Sequence, residues 1–228
     1  MRYTFIELCG ITFQKHFIMP IYNQIAGQRI QRVEAISDGI FAVALTLLVL
    51  DIKLSINEAI KTEGDLFNSL CVLMPKFLSY FLSFMTMGIF WTGQTTQFDY
   101  IEKYDRNLNW ISLFFLLFVT LLPFSTSFLS VHIGFKVALA LYWLNIFLLG
   151  LLLFIHWNYA SKHGYTTLQG EEKKAMDSAI RKRIIIAQSL YAFGALLCFI
   201  NIYLSIGFII AVQLNYAFAF LDRKKTSR

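Results

Sequence analysis

Long apolar segments recur along this 228-residue chain and constrain its fold more than any other feature. The hydrocarbon core of a bilayer is about 30 Å thick, and a helix needs roughly 20 apolar residues to cross it. Six segments meet this requirement, so the sequence predicts an all-α membrane protein with six transmembrane helices. The predicted spans are approximately 33–54, 70–91, 108–129, 137–157, 184–204 and 206–221.

The last two predicted spans are separated by almost no loop. Residues Leu204–Gly207 are the only connection between them, which predicts a tight helical hairpin at this point. The longest polar segment, 158–183, precedes the hairpin. Within it, Gly170-Glu171-Glu172-Lys173-Lys174 is predicted to open a cytoplasmic helical extension.

The overall composition agrees with a membrane protein. Hydrophobic residues make up 57% of the chain and charged residues 15%, with a mean hydropathy of +0.58. Soluble domains are closer to 45–50% apolar and about 25% charged, so a single aqueous core is excluded. Cys9, Cys71 and Cys198 lie far apart, which argues against a disulfide scaffold or a zinc site.

The basic residues flank the predicted spans. If both termini lie on one side of the membrane, that side carries 16 of the 20 Lys and Arg residues and the other side carries three, with Lys76 inside the second span. Positive loops mark the cytoplasmic side of a membrane protein. The net charge of +6 therefore indicates membrane topology, with both termini cytoplasmic, and gives no reason to expect a nucleic-acid partner.

No pattern of catalytic or metal-binding residues is visible. His16, His132, His156 and His163 are not spaced as metal ligands, and the sequence has no Gly-rich phosphate loop, H-E-x-x-H or G-x-S-x-G motif. His156 lies near the predicted cytoplasmic end of the fourth span and is interpreted as an interfacial residue. The sequence therefore predicts neither an enzyme nor a bound cofactor.

The first span begins with polar residues. Arg32, Ser37 and Asp38 lie at the entrance of an otherwise apolar helix. A charged residue within a span usually faces protein or water, because its insertion into lipid costs a few kcal/mol. A simpler interpretation is that the helix begins later, with Ser37 as its cap and Asp38 complementing the helix dipole.

An apolar stripe follows these polar residues. Its members are separated by 4, 3, 4, 3 and 4 positions and therefore share one helix face: Ile36, Ile40, Val43, Leu47, Leu50 and Leu54. In a membrane such a stripe often reflects ordinary helix packing. Thr46 borders the stripe, and a threonine in a span often bonds the carbonyl of the preceding turn.

The first span and its entrance have the sequence Arg32-x-x-x-x-Ser37-Asp38, followed by Gly-Ile-Phe-Ala-Val-Ala-Leu-Thr-Leu-Leu-Val-Leu. This segment resembles the R-x-x-x-F-S-D motif and first helix of the transmembrane protein 175 family of potassium channels, in its prokaryotic branch. The resemblance extends over about residues 30 to 130. It continues through Leu73–Tyr80, Gly88–Trp91, the segment from Asp105 to Trp110, and Phe118–Phe124.

The resemblance implies a homotetramer of six-span subunits without a selectivity-filter loop, in which the first helix lines a central pore. It implies that Val43, Leu47 and Leu50 form apolar constriction layers. Thr46 would be a neighbouring hydroxyl involved in potassium preference. It also implies a polar network near the cytoplasmic mouth, formed by Arg32, Ser37 and Asp38. Potassium would be the permeant ion.

Three departures from the family pattern involve four positions. The Phe of the motif is Ile36 here, and Val43 is one methylene smaller than the residue common at the narrowest layer. Gln94 and Thr95 stand where a pair of His residues usually follows the second-span Trp. A gating or pH response that depends on those His residues is not expected in this chain.

The residues and the resemblance together predict a mechanism. Apolar rings cannot replace the hydration shell of an ion, so they gate by wetting and select only by the cost of dehydration. We therefore expect a leak-type, potassium-permeable cation channel with a hydrophobic gate and modest K⁺/Na⁺ selectivity. Its partners would be the lipid bilayer and monovalent cations, in the cell membrane of a prokaryote.

Two alternatives remain open at this stage. A small membrane transporter usually shows internal repeats and broken helices around polar groups, and no repeat is visible here. A non-conducting membrane scaffold would have no particular use for the polar entrance motif. The predicted organisation is an N-terminal amphipathic extension (1–30), a six-helix transmembrane channel domain (31–222) and a basic C-terminal tail (223–228).

Overall fold

The computed structural model describes residues 29–50, 52 and 61–218, and the fold of these ranges is all-helical. The predicted basic tail and nearly all of the predicted N-terminal extension lie outside the described residues. The helices are α1 (Ile30–Val49), α2 (Glu63–Val72), α3 (Met74–Phe98), α4 (Arg106–Val131), α5 (Lys136–Lys162), α6 (Gly170–Leu196) and α7 (Ile202–Phe218), with a 3₁₀ turn at Leu197–Phe199.

The described helices differ in how well they suit a membrane. Three are individually long and apolar enough to cross it: α4, α5, and α6 together with the 3₁₀ turn. Helices α2 and α3 would make a fourth span if the pair, bent by 44°, is counted as one. Helix α1 and helix α7 are not among these spans, because α1 contains three charged residues and α7 has only 17 residues.

Helices α3, α4 and α5 form the centre of the subunit. Helix α4 makes its most extensive contacts with α5, and α1 packs mainly against α3 and α4. Helices α6 and α7 pack against each other, with α5 beside α6 and α3 beside α7. Within the described ranges, helix α1 therefore has neighbours on only part of its circumference.

Helix α4 continues through Pro123, which lacks a backbone N–H and interrupts the helical hydrogen-bond ladder. A side chain of the neighbouring helix supports this turn. In the orientation that satisfies both of its polar atoms, the Asn145 amide donates to the Phe118 carbonyl and accepts from the Leu122 N–H, each at 3.2 Å. In a membrane such partners must come from neighbouring protein, because water is absent.

The turn between the last two helices was predicted at the wrong place. It lies at Ile200 and Asn201, whose Oδ1 accepts from the backbone N–H of Tyr203 at 2.8 Å. Ser205, predicted to lie in the turn, is fully buried, and its Oγ donates to the Gly194 carbonyl at 2.5 Å. The apolar sequence runs across the turn unbroken, so hydropathy alone could not locate it.

The predicted start of a helix near Gly170 is confirmed. Helix α6 begins at this residue, where φ is 59°, a backbone conformation that favours glycine. The helix then runs without interruption to Leu196. Residues 184–196 of the fifth predicted span are thus the second half of a longer helix, and the rest of that span contains the 3₁₀ turn, the turn at Ile200 and Asn201, and the start of α7.

Candidate functional site

Two stripes of side chains run along α1. The inner stripe, with members three or four residues apart, is buried against α3 and α4. This spacing keeps one helix face toward the subunit. The inner stripe comprises Ile30, Val33, Ser37, Phe41, Ala44 and Leu48.

The outer stripe lies one position before the inner stripe and points away from the subunit. Val43 is 58% exposed, Leu47 46% and Leu50 61%. Ile36 is also exposed, whereas Ile40 is half-buried and contacts the core. We call the apolar residues Ile36, Ile40, Val43, Leu47 and Leu50 the outer stripe.

An open groove of about 440 Å³ follows the outer stripe. Thr120 of α4 lines one side of this groove, and its hydroxyl donates to the Leu117 carbonyl at 2.7 Å. The groove is otherwise apolar: Ile36, Gly39, Ile40, Val43, Ala44 and Leu47 complete its lining.

Thr46 is exposed, and its Oγ1 donates to the Val43 carbonyl at 2.7 Å. This is the local bond that a threonine in a helix usually makes. Because the hydroxyl hydrogen is used in that bond, the oxygen keeps acceptor capacity for another group.

Two hydrogen bonds join the polar residues of α1 to α3. The buried Ser37 Oγ donates to Gln94 Oε1 at 2.5 Å, and Trp91 Nε1 donates to Asp38 Oδ1 at 2.8 Å. Gln94 is itself only 2% exposed. Trp91 and Gln94 lie one turn apart on α3, so we call these four residues the α1–α3 clamp.

Neither Ser37 nor Asp38 caps the helix, because α1 begins seven residues earlier, at Ile30. The capping interpretation is therefore wrong. Arg32 is exposed, and within the described ranges its side chain forms no hydrogen bond or ion pair with Ser37 or Asp38. The structure thus brings two of the three predicted network residues to α3 and leaves the third on the surface of the subunit.

The roles of Gln94 and Trp91 are not predicted from the sequence. Gln94 was noted only as a replacement for a histidine, yet it accepts the bond of a buried serine. The available signal was a polar residue three positions after Trp91. This spacing places both side chains on the same face of α3.

A second buried polar chain links three helices near the 99–105 loop. Gln97 Nε2 donates to the Leu153 carbonyl, so its Oε1 accepts from His156 Nδ1 at 2.7 Å. His156 Nε2 then accepts from the Tyr104 hydroxyl at 2.8 Å, and that hydroxyl also bonds Ser112. Burial raises the pKa of Tyr104, which keeps its proton available for donation. His156 is 2% exposed and is not interfacial, contrary to the interpretation from the sequence.

The chemistry of the outer stripe is limited to apolar contact, and the hydroxyl of Thr46 lies beside it. No group of three or more His, Cys, Asp or Glu side chains that could hold a metal ion occurs in the described ranges. An ion that passes along this surface would find no ring of side-chain carboxylates to replace its hydration shell. Exclusion of water is the main physical effect that the outer stripe can exert.

Comparison with known proteins adds independent evidence. A family model described as the endosomal/lysosomal potassium channel TMEM175 matches residues 32–123, which include the outer stripe and the α1–α3 clamp. Potassium channel Cha6605_3372 of Chamaesiphon minutus is 33% identical over 190 residues, covering 82% of this chain and 92% of that protein. The endosomal/lysosomal proton channel TMEM175 of Gallus gallus is 36% identical over 100 residues, covering 41% of this chain and 20% of that protein.

A solved structure shows the same fold. The crystal structure of a lysosomal potassium-selective channel TMEM175 homolog from Chamaesiphon minutus matches with a TM-score of 0.73 at 27% identity. The match covers 83% of this chain and 97% of that chain. The identity to the Chamaesiphon minutus relative and its near-complete coverage show that this chain belongs to the TMEM175 family, whose named relatives are ion channels.

Proposed function

We propose that this chain is one subunit of a homotetrameric, potassium-permeable cation channel with a pore lined by the outer stripe of α1. The exposure of Val43, Leu47 and Leu50 carries the proposal. Among the residues that the structure describes, about half of each of these side chains is left uncovered, which is the arrangement that a pore shared between copies requires. Relatives that are named potassium channels support potassium as the permeant ion.

The alternative environment for the outer stripe is lipid, and the charges of α1 argue against it. Arg32 and Asp38 are exposed, and Glu34 lies between them in sequence. Charged groups that face lipid cost several kcal/mol, whereas the same groups are tolerated beside protein or water. A helix with this composition is therefore best placed at the centre of an assembly.

The proposed pore has three apolar rings. Val43 and Leu50 are seven residues apart, so the rings extend over roughly 10 Å of helix at 1.5 Å per residue. Such rings gate by wetting and favour potassium over sodium only through its weaker hydration. We therefore expect a leak-type conductance with modest selectivity, to which the Thr46 oxygen adds an acceptor beside the rings.

Assembly would cover a second exposed stripe, on α4. Its members are again spaced by four and three positions, and they are large enough to bury much apolar area. A second copy packed along α4 and α1 would cover this surface and close the groove beside the outer stripe into a conduit. The stripe comprises Trp110, Phe114, Leu117, Leu121 and Phe124.

The proposed topology has six spans, with both termini in the cytoplasm of a prokaryote. The spans are α1, the bent α2–α3 pair, α4, α5, α6 with its 3₁₀ turn, and α7. The α1–α3 clamp would fix the rotation of α1, because Ser37 is held by Gln94 and Asp38 by Trp91. Arg32 would complete the polar mouth of the pore from the exposed side.

Reversal potentials of the purified protein in liposomes with asymmetric KCl and NaCl test the proposal. The wild type should conduct and show a modest preference for potassium. Val43→Ala and Leu47→Ala should change the conductance or the K⁺/Na⁺ preference, because each widens one ring. Unchanged currents in both variants would remove the pore assignment, and a saturable flux that requires a coupling ion would indicate a transporter.

A further inference from the structure

A cavity of about 210 Å³ lies between α3, α5, α6 and α7, separate from the outer stripe of α1. Most of its lining side chains are apolar, among them Phe90, Leu153, Met176, Ile180 and Ile184. An apolar pocket of this kind binds apolar groups, since transfer of such groups from water is favourable.

Small residues keep this space open. Gly93 lines the cavity, and a Cβ there would lie 3.1 Å from Leu153 Cδ2. Gly150 allows the side chain of Gln188 to cross α5, because a Cβ at Gly150 would lie 1.6 Å from Gln188 Nε2. Ala179 and Ala187 present only methyl groups from α6. No large side chain therefore fills the space where the helices diverge.

Arg183 lines the cavity and is exposed, which places a cation at its opening. Its guanidinium carbon lies 5.9 Å from the centroid of the Tyr216 ring. Among the residues that the structure describes, no carboxylate pairs with Arg183, although Glu171 pairs with Lys174 and Asp177 approaches Arg181. Within the described ranges, the positive charge at the opening thus faces the aromatic ring of Tyr216 and forms no ion pair with a carboxylate.

We propose that this cavity binds one acyl chain of an anionic phospholipid from the cytoplasmic leaflet, with the headgroup phosphate at Arg183. The assignment to that leaflet rests on the proposed topology. Arg183 and Tyr191 are eight residues apart on α6, so the cavity reaches about 12 Å from the charged opening into the bundle. A cation at the opening and apolar walls behind it match the two parts of such a lipid, and juxtamembrane basic residues attract anionic headgroups.

Lipid retention by the full-length protein tests the charged part of the site. The protein is purified in a detergent mixed with equal amounts of phosphatidylglycerol and phosphatidylcholine, and bound lipid is counted by native mass spectrometry. We expect phosphatidylglycerol on the wild type and about fivefold less on Arg183→Gln, the loss that corresponds to one basic residue near a membrane surface. Lys182→Gln is the matched control, because Lys182 is exposed, equally charged and outside the cavity lining.

A filled cavity tests the apolar part. Ala187→Leu should displace the acyl chain and reduce retention of both lipids, whereas Ile186→Leu, at an exposed neighbouring position, should not. Each variant is first checked for an unchanged monodisperse elution profile, and Ala187→Val replaces the larger change if it fails. Equal losses in Arg183→Gln and Lys182→Gln, or full retention after filling, would overturn the proposal. Because binding is measured without current, the result is independent of whether the protein conducts potassium.

Discussion

The inner and outer stripes of α1 have nearly the same apolar character but different environments. Leu48 of the inner stripe is 2% exposed, and Leu47 of the outer stripe is 46% exposed, although the two residues are adjacent. The inner stripe meets α3 and α4, whereas most of the outer stripe is left uncovered by the described helices, and only Ile40 packs against the core. Apolar periodicity thus identifies two faces of a membrane helix but does not tell which one packs within the subunit.

The largest expected difference between the two stripes is in stability. Leu48→Ala should lower the free energy of unfolding by about 2–5 kcal/mol, because it leaves a cavity in a packed core. Leu47→Ala should cost less than about 1 kcal/mol, since its side chain packs against little of the subunit. Thermal unfolding of the detergent-solubilised protein measures both, and equal losses would show that the outer stripe is part of the core after all.

Loss of the buried hydrogen bond of the α1–α3 clamp should lower the free energy of unfolding by a smaller amount. Ser37→Ala removes the donor to Gln94 Oε1 and leaves a buried acceptor without a partner, which should cost about 1–3 kcal/mol. Ser37→Ala combined with Gln94→Leu should recover part of that loss, because two apolar groups need no partner. If the double variant is less stable than Ser37→Ala alone, the Ser37–Gln94 bond is not the reason for the loss.

The exposed half of the clamp should contribute less than the buried half. A double-mutant cycle with Trp91→Phe and Asp38→Ala should give a coupling of about 0.5–1.5 kcal/mol, since water competes for both groups. Unfolding of the two single variants and the double variant measures this coupling. A coupling larger than that of Ser37 and Gln94 would reverse the ranking that burial predicts.

The smallest expected effect is at Thr46. Thr46→Val keeps the shape of the side chain and removes only a hydroxyl that bonds its own helix. Stability should stay within about 0.5 kcal/mol. The K⁺/Na⁺ permeability ratio in liposomes should fall by less than tenfold, which is less than about 1.4 kcal/mol. An unchanged ratio would remove Thr46 from the selectivity proposal.

Sequence reasoning was most successful where periodicity and family pattern agreed. The apolar stripe was predicted from its spacing, and the structure places five of its members, the outer stripe, on one helix face; the sixth, Leu54, lies outside the described residues. Helix α6 was predicted to start at Gly170, and it does. Membership in the TMEM175 family was recognised from the motif around Ser37 and Asp38, and the relatives confirm it.

The remaining features depend on contacts between residues that are distant in sequence. The hydrogen bond between Ser37 and Gln94 joins positions 57 residues apart, and no local sequence pattern predicts it. His156 was interpreted as an interfacial residue because hydropathy indicates where a span ends. Hydropathy does not indicate which helices surround a residue near that end. The turn at Asn201 was missed because its cap is a single polar residue within an apolar run.

Cysteine accessibility in a conducting membrane tests the central claim most directly. In a background with Cys9, Cys71 and Cys198 replaced by alanine, Leu47→Cys and Leu48→Cys would be exposed to a cationic, membrane-impermeant thiol reagent while potassium current is recorded. We expect rapid loss of current for Leu47→Cys, because the reagent places a charge in an apolar ring, and no change for Leu48→Cys. Modification without loss of current at Leu47→Cys would show that the outer stripe does not line the conduit.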